Sequence, residues 1–91
     1  MSVRVRLPPI LRTLSGGARE MAADGETIQS VMADLAKKHP AFARHLFDEA
    51  GFLRPSIVFL HDGSLVRAGE AAAHRVRDED EIVLTNALSG G

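Results

Sequence analysis

The sequence contains no cysteine, no tryptophan and no tyrosine, and only four of its 91 residues are phenylalanine. Without cysteine the chain has no disulfide, no thiol nucleophile and no thiolate metal site. With four phenylalanines as its only aromatic residues of this kind, the chain has few rings for stacking. Its net charge is -1, from 11 basic and 12 acidic residues. Both features argue against a nucleic-acid partner, which selects for basic stripes and stacking rings.

Long hydrophobic runs are also missing. No apolar stretch approaches the roughly 20 residues that a membrane span needs. The N-terminal residues reach Arg4, Arg6 and Pro8-Pro9 at once and contain no signal-peptide core. We therefore expect a cytoplasmic protein without a membrane partner. A chain of this length forms one domain with a single core and little left to frame a deep pocket.

The first 25 residues predict a β-hairpin. Residues 2–7 alternate polar and apolar, the period of a half-buried strand. Pro8-Pro9 ends that strand, since proline donates no ladder hydrogen bond. We expect 10–14 to be an irregular or one-turn connection that tucks its apolar residues under the sheet. Residues 19–23 return as a weaker strand.

The middle of the chain predicts one clear helix. Thr27 is a good N-cap, and His39 before Pro40 ends the helix. Residues 41–47 predict a further helical turn or two. The apolar stripe of the main helix recurs at helical spacing and comprises Ile28, Val31, Met32, Leu35 and Ala36.

The last third predicts three strands. Residues 56–60 are apolar on both sides, and Asp62-Gly63 is a hairpin signal leading to a short strand at 65–67. Residues 69–74 read as a connection, and 81–85 as the final strand. We expect a core made of residues from the strands and the helix, namely Val3, Val5, Ile28, Val31, Leu35, Val58, Leu60, Ile82 and Leu84.

This order of elements predicts an α+β fold, a mixed sheet with one main helix packed on one face. If the first and last strands pair centrally, the architecture is the β-grasp, or ubiquitin-like, roll. We expect a β-grasp domain at 1–85 and a flexible Gly-Gly tail at 86–91.

The apolar pattern of the last strands predicts a patch of Ile57, Phe59 and Val83 on the sheet face opposite the helix. Contiguous exposed apolar area usually marks a partner site, so we predict that a partner docks there. The alternative is that the 10–14 segment or the 42–47 turns cover these side chains.

No other cluster in the sequence indicates a site. The four histidines, His39, His45, His61 and His74, lack metal-ligand spacing, and we expect caps, turns or surface positions. No metal site is predicted. Residues 78–80 read as a solvated acidic turn, with steering of a basic partner as the alternative.

The tail ends in Gly90-Gly91. Glycine has no Cβ, so two such residues can thread a slot that excludes other residues and carry a carboxylate into a partner's active site. The alternative is a frayed end of small residues.

Together these features resemble the ThiS/MoaD family of ubiquitin-like sulfur carriers. The resemblance covers nearly the whole chain: 3–8 as first strand, Thr27-Ile28 opening the helix, 58–63 as strand and turn, 80–84 as last strand, and Gly90-Gly91. The run at 7–12 with Gly16-Gly17 is most similar to the carriers that serve cysteine synthesis or thioacid siderophores. Two positions depart from the family: His61 replaces a frequent Asn, and Asn86-Ala87 replace the Pro pair of the molybdopterin branch.

The resemblance implies a protein cosubstrate rather than an enzyme. In the family, the carboxylate of the last glycine, here Gly91, is adenylated and converted to a thiocarboxylate. It implies that Leu88, Ser89 and Gly90 thread into the partner's active site, and that the partner uses the ATP while the carrier binds no cofactor. The implied partners are a ThiF/MoeB-like adenylating enzyme and a sulfur-accepting synthase, either cysteine-synthase-like or a molybdopterin-synthase large subunit. A JAMM-type metalloprotease is a further implied partner.

The same sequence leaves other functions open. A ubiquitin-like modifier would be joined to lysines through Gly91 with the same tail. The chain could also be the small subunit of molybdopterin synthase, or an interaction module whose tail is inert.

Overall fold

A computed structural model describes residues 2–86, and within them the chain forms five strands, three α-helices and a short 3-10 turn. The strands are β1 (Ser2–Arg6), β2 (Glu20–Asp24), β3 (Ile57–His61), β4 (Ser64–Arg67) and β5 (Glu81–Asn86). The helices are α1 (Pro9–Leu14), α2 (Ile28–Lys38) and α3 (Pro40–Leu46), and the 3-10 turn is Ala68–Glu70. None of the helices in the described part of the chain is long and apolar enough to cross a membrane.

All five strands form one sheet in the order β2-β1-β5-β3-β4. The first and last strands, β1 and β5, run parallel at its centre, and the other neighbours are antiparallel. Parallel neighbours need a crossover connection, and the chain between β1 and β5 supplies it with α2 and α3. The predicted α+β roll with a central β1–β5 pair is confirmed.

The connection after β1 is more regular than its sequence predicted. Residues 9–14 form α1, whose first residue is Pro9. Proline suits this position because its missing N–H would have no partner in the first turn. Only Leu11 of this helix is buried, whereas Ile10 and Leu14 are 48% and 42% exposed. The prediction that this segment tucks its apolar residues under the sheet is therefore right for Leu11 alone.

Helix α2 starts at a capping box. The backbone N–H of Ser30 donates to Thr27 Oγ1 at 3.1 Å, and the Thr27 N–H donates to Ser30 Oγ at 2.9 Å. These bonds satisfy donors that the first helical turn leaves free. A Cβ at Gly25 would lie 2.5 Å from Ser30 Oγ, so this close approach requires glycine. The predicted apolar stripe is buried at Ile28, Val31, Met32 and Leu35.

The predicted hairpin at Asp62-Gly63 is confirmed. His61 pairs with Ser64 across a two-residue loop. Both loop residues have positive φ, 51° at Asp62 and 77° at Gly63. This is the backbone that a type I′ turn requires and that Asp-Gly favours.

The predicted orientation of β3 is wrong. We expected Val58 and Leu60 in the core, but Leu60 is 40% exposed and Val58 is only half-buried. Phe59 is instead fully buried and lies opposite the buried Leu84 of β5. Directly opposed residues share a sheet face. Phe59 therefore lies with Leu84 on the face that the helices cover. The other predicted core residues are buried as expected.

Candidate functional site

The sheet face turned away from α2 carries a small apolar surface. We call it the outer patch and define it as Val58, Leu60, Leu65 and Val83. Leu60 is at its centre, because it lies opposite Val83 on β5 and opposite Leu65 on β4. Leu60 and Leu65 are 40% and 64% exposed. Side chains at opposed positions are near neighbours on one face, so the four form one contiguous surface.

Two of the three residues that the sequence predicted for a docking patch do not lie on this surface. Ile57 and Phe59 point to the other face and are 3% and 0% exposed. Neither can meet a partner without unfolding of the sheet, so their assignment to the patch was wrong. Val83 does lie on the outer face, with Thr85 next to it on the same strand. On the outer face, the exposed apolar side chains are those of Leu60 and Leu65 rather than those of Ile57 and Phe59.

Arginines border the outer patch on both sides. Arg4 and Arg6 come from β1, and Arg6 lies opposite Val83. Arg67 comes from β4 and lies opposite Val58. All three are exposed, and none forms an ion pair with any residue from 2 to 86. Two acidic residues lie beside them on this face, Glu81 opposite Arg4 and Glu20 opposite Arg6. The surface therefore combines an apolar centre with a charged border of three arginines and two glutamates.

Strand β5 directs the chain from this surface to the tail. It ends at Asn86, which pairs with Ile57 of β3. The predicted tail residues Leu88, Ser89, Gly90 and Gly91 lie outside the described residues. Residue 86, assigned by the sequence to the tail, is the last residue of the strand. A small apolar notch of about 40 Å³ flanks this end, and its lining includes Ile10, His45, Ile57 and Thr85.

A buried polar cluster at the other end of β3 and β5 was missed by the sequence analysis. His61 is 6% exposed. Its Nε2 lies 2.7 Å from Asp80 Oδ2, and its Nδ1 lies 2.8 Å from His74 Nε2. The neutral tautomer with a proton on Nε2 fits both contacts, since it donates to Asp80 and accepts from the N–H of His74.

Asp80 is held as a carboxylate in this cluster. The backbone N–H of Arg77 donates to its Oδ2 at 2.8 Å. This bond, and then the hydrogen bond from His61, lower the pKa of the Asp80 carboxyl below its usual value. Asp80 is half-buried, and its Oδ2 accepts hydrogen bonds from Arg77 and His61. Its assignment to a solvated turn was therefore wrong.

The same cluster offers one group of potential metal donors. Atoms of His61, Asp62 and Asp80 lie within 4.8 Å of one another. The His61–Asp80 separation of 2.7 Å is that of a charge-assisted hydrogen bond, and Asp62 is 80% exposed. The arrangement therefore serves to hold the β3–β4 turn against the start of β5. His61 has the strand parity of Phe59, which is the signal that would have placed it inside.

The chain matches the model of the ThiS family over residues 5–91. It belongs to the ThiS family. The match continues through the last two glycines, so it includes the tail as well as the sheet.

Three proteins are similar to this chain over nearly their full length. The sulfur carrier protein CysO of Mycobacterium tuberculosis is 29% identical over 93 residues, which is 100% of each chain. A chain of the BexX/CysO complex of Amycolatopsis orientalis is 29% identical with a TM-score of 0.79, covering 98% of this chain and 99% of that one. The small archaeal modifier protein 1 (SAMP1) of Methanosarcina acetivorans is 32% identical with a TM-score of 0.80, covering 99% and 96%. These likenesses confirm the predicted β-grasp, ubiquitin-like fold.

Proposed function

We propose that this ThiS family protein is a sulfur carrier, a protein cosubstrate that delivers sulfur from its C-terminus. The carboxylate of Gly91 is adenylated, and the adenylate is then converted to a thiocarboxylate. The observation that carries the proposal is the family match over residues 5–91, which includes Gly90-Gly91. The full-length likeness to a protein named as the sulfur carrier CysO supports it.

The chemistry requires activation because a carboxylate is a poor acyl donor at neutral pH. Adenylation gives Gly91 a good leaving group and divides one difficult step into two easier ones. A ThiF/MoeB-like adenylating enzyme supplies the ATP-dependent step, so the carrier itself holds no cofactor. Since activation consumes ATP, we place the reaction in the cytoplasm.

Cysteine synthesis is the pathway that we propose for the sulfur. The full-length relatives from mycobacteria are named CysO, and the chain of the BexX/CysO complex is equally similar in sequence. The acceptor would then be a cysteine-synthase-like enzyme. A JAMM-type metalloprotease would release the product that remains attached to Gly91.

The outer patch is the surface through which we propose that the activating enzyme binds. It provides an exposed apolar centre at Leu60 and Leu65. Val83 belongs to the patch and to β5, the strand that leads to Leu88, Ser89 and Gly90. An enzyme bound over Val83 therefore meets the tail as it leaves the domain. The arginines at the border favour a partner with an acidic rim.

A protein modifier is the second candidate function. A relative named small archaeal modifier protein 1 is 32% identical over 99% of this chain. A modifier uses the same activated Gly91 but transfers it to amines of other proteins. Conjugates in a cell lysate would favour this function, and a thiocarboxylate would favour the carrier.

The test is the intact mass of the chain after incubation with its activating enzyme, ATP and a sulfide source. Conversion of the carboxylate to a thiocarboxylate adds about 16 Da, because one oxygen is exchanged for sulfur. A variant that lacks Gly91 is the control and should not change in mass. An unchanged mass of the intact chain, with an enzyme proven to be active, would refute the carrier function.

A further inference from the structure

We propose that Lys37 is an acyl-acceptor site of this protein. When one copy carries an activated Gly91, the acyl group passes to the side-chain amine of Lys37 in a second copy and forms an isopeptide bond. The proposal rests on the activated C-terminus proposed above, and it adds a modification site on the helix-covered side of the domain.

The first observation is the scarcity of nucleophilic side chains. Nine of the 11 basic residues are arginine and only two are lysine, Lys37 and Lys38. Guanidinium groups stay protonated at any physiological pH, so the arginines do not attack an acyl group. With no cysteine in the sequence, the two lysines are the only side-chain amines or thiols that can accept it.

The second observation is that Lys38 is held as a cation. Its Nζ lies 2.9 Å from Asp34 Oδ2 and 3.5 Å from Asp24 Oδ2. The hydrogen bond with Asp34 raises the pKa of the Lys38 amine. Only the neutral amine is nucleophilic, so these contacts reduce the reactive fraction of Lys38.

The third observation is the position of Lys37 on α2. An α-helix turns by about 100° per residue, so Lys37 points to the side of α2 opposite the buried Leu35. The side chain is exposed, and no carboxylate from residues 2–86 forms an ion pair with it. Lys37 is therefore the more available of the two amines.

A fully extended tail of the same copy is shorter than the distance along the strands from Asn86 to the level of Asp24, which contacts the amine of Lys38. Asp24, which contacts that amine, pairs with Ser2 at the start of β1, whereas Asn86 lies beyond the other end of that strand. Asp24 is level with residue 2, and continuing the β1–β5 register sets Asn86 level with residue 9. The two therefore lie seven residues, or about 23 Å, apart along the strands. Residues 87–91 span about 17 Å when fully extended.

A second copy meets no such limit. The donor copy uses its activated Gly91 and its outer patch, and the patch lies on the face of the sheet turned away from α2. The acceptor copy offers the exposed end of α2, which is remote from its own outer patch. The same chain can therefore serve as donor with one face and as acceptor with the other.

The proposed step is an ordinary aminolysis of an acyl-adenylate. The neutral Nζ of Lys37 attacks the carbonyl carbon of Gly91, and the new C–N bond replaces the bond between that carbon and the adenylate oxygen. AMP leaves with the electron pair, and the proton of the amine passes to water. The attack therefore requires no oxidant, no metal and no thiol on the acceptor.

The experiment uses a chain whose Gly91 is chemically activated, so that no activating enzyme is needed. The chain is made with an acetylated N-terminus, and its C-terminal thioester of 2-mercaptoethanesulfonate is obtained by thiol cleavage of an intein fusion. Incubated with unactivated chain near pH 8, it should give a covalent dimer. Peptide mapping should find Lys37 linked in roughly threefold excess over Lys38, the scale on which exposed ion pairs act.

Three variants of the acceptor copy make the result specific. Lys37→Arg should lose most of the dimer, whereas Lys38→Arg should retain it. Asp34→Asn removes the charged partner of Lys38 and should bring the two linkages close to equal. Equal linkage in the unchanged chain, a preference for Lys38, or an internally cyclised monomer as main product would overturn the proposal. Because the thioester replaces the adenylate, the result does not depend on whether the carrier function is correct.

Discussion

His61 is the buried polar residue of the described core. It ends β3 with the same parity as Phe59, and its ring nitrogens contact Asp80 and His74. A buried imidazole without partners would cost free energy, whereas a bonded one specifies a unique arrangement. The cluster therefore joins the β3–β4 hairpin to the segment that precedes β5.

Asp80 gives this cluster a dependence on pH. Its pKa is lowered in the folded chain, so the folded state favours the charged form more than the unfolded state does. The resulting stability is present above the unfolded pKa of about 3.9 and is lost as the pH falls through the lower folded pKa.

Asp80→Asn is the corresponding variant, since an amide oxygen can accept both hydrogen bonds but carries no charge. We expect the original chain to melt at a higher temperature than Asp80→Asn at pH 7. The difference should shrink below about pH 4. Thermal melts of both proteins between pH 7 and pH 3 test this, and the other carboxylates cancel because the two proteins share them. A difference that stays constant down to pH 3 would contradict the role assigned to Asp80.

Strand β3 is apolar on both faces. One face bears the buried Ile57 and Phe59 on the helix-covered side, and the other bears Val58 and Leu60 on the outer patch. Both sets have the composition of a core strand, yet only one is buried. Pairing with β4 and β5 places β3 inside the sheet, so its outer-face side chains Val58 and Leu60 lie between those of the two neighbouring strands.

The two faces should respond differently to truncation. Phe59 is fully buried, so Phe59→Ala should lower the free energy of unfolding by about 3–5 kcal/mol. Leu60→Ala removes a side chain that is 40% exposed and should cost about 1 kcal/mol or less. Urea denaturation of the two variants measures both values. Comparable losses would mean that the orientation of β3 is not the one described.

At the scale of the whole molecule, the helices cover one face of a single sheet. The outer face has no helix over it within residues 2–86, and Leu60 and Leu65 are exposed there. Strand β5 contributes Val83 to that face and then leads to the tail. The proposed function thus separates docking, at the outer patch, from chemistry, at Gly90-Gly91.

Kinetics of ATP-pyrophosphate exchange by the activating enzyme should separate these two parts. Leu60→Ser weakens an apolar contact at the centre of the patch and should raise the KM for the carrier. Gly90→Ala adds a methyl group to the thread and should lower kcat with little change in KM, because it disturbs the geometry of the reacting end.

Phe52→Ser is the matched control for the patch, since Phe52 is 69% exposed but lies in the loop after α3. It should leave both constants unchanged. If Leu60→Ser behaves like Phe52→Ser, the outer patch is not the docking surface.

Local signals in the sequence determined the strands, the main helix and their order. Thr27 as N-cap, the stripe from Ile28 to Leu35 and the Asp62-Gly63 turn act over a few residues and need no distant partner. Each is present in the structure as predicted. The family resemblance also came from such short stretches, because their order and spacing are written along the chain.

The tertiary structure alone decided which face of β3 is buried and which polar groups meet. An apolar strand has no internal preference between its faces, so the pairing of Phe59 with Leu84 settled the orientation. His61, His74 and Asp80 are separated by up to 19 positions along the chain, and no local pattern brings them together. Sheet register and side-chain contacts across distant segments are properties of the assembled domain, which is why the sequence pattern placed Ile57 and Phe59 on the wrong face of the sheet.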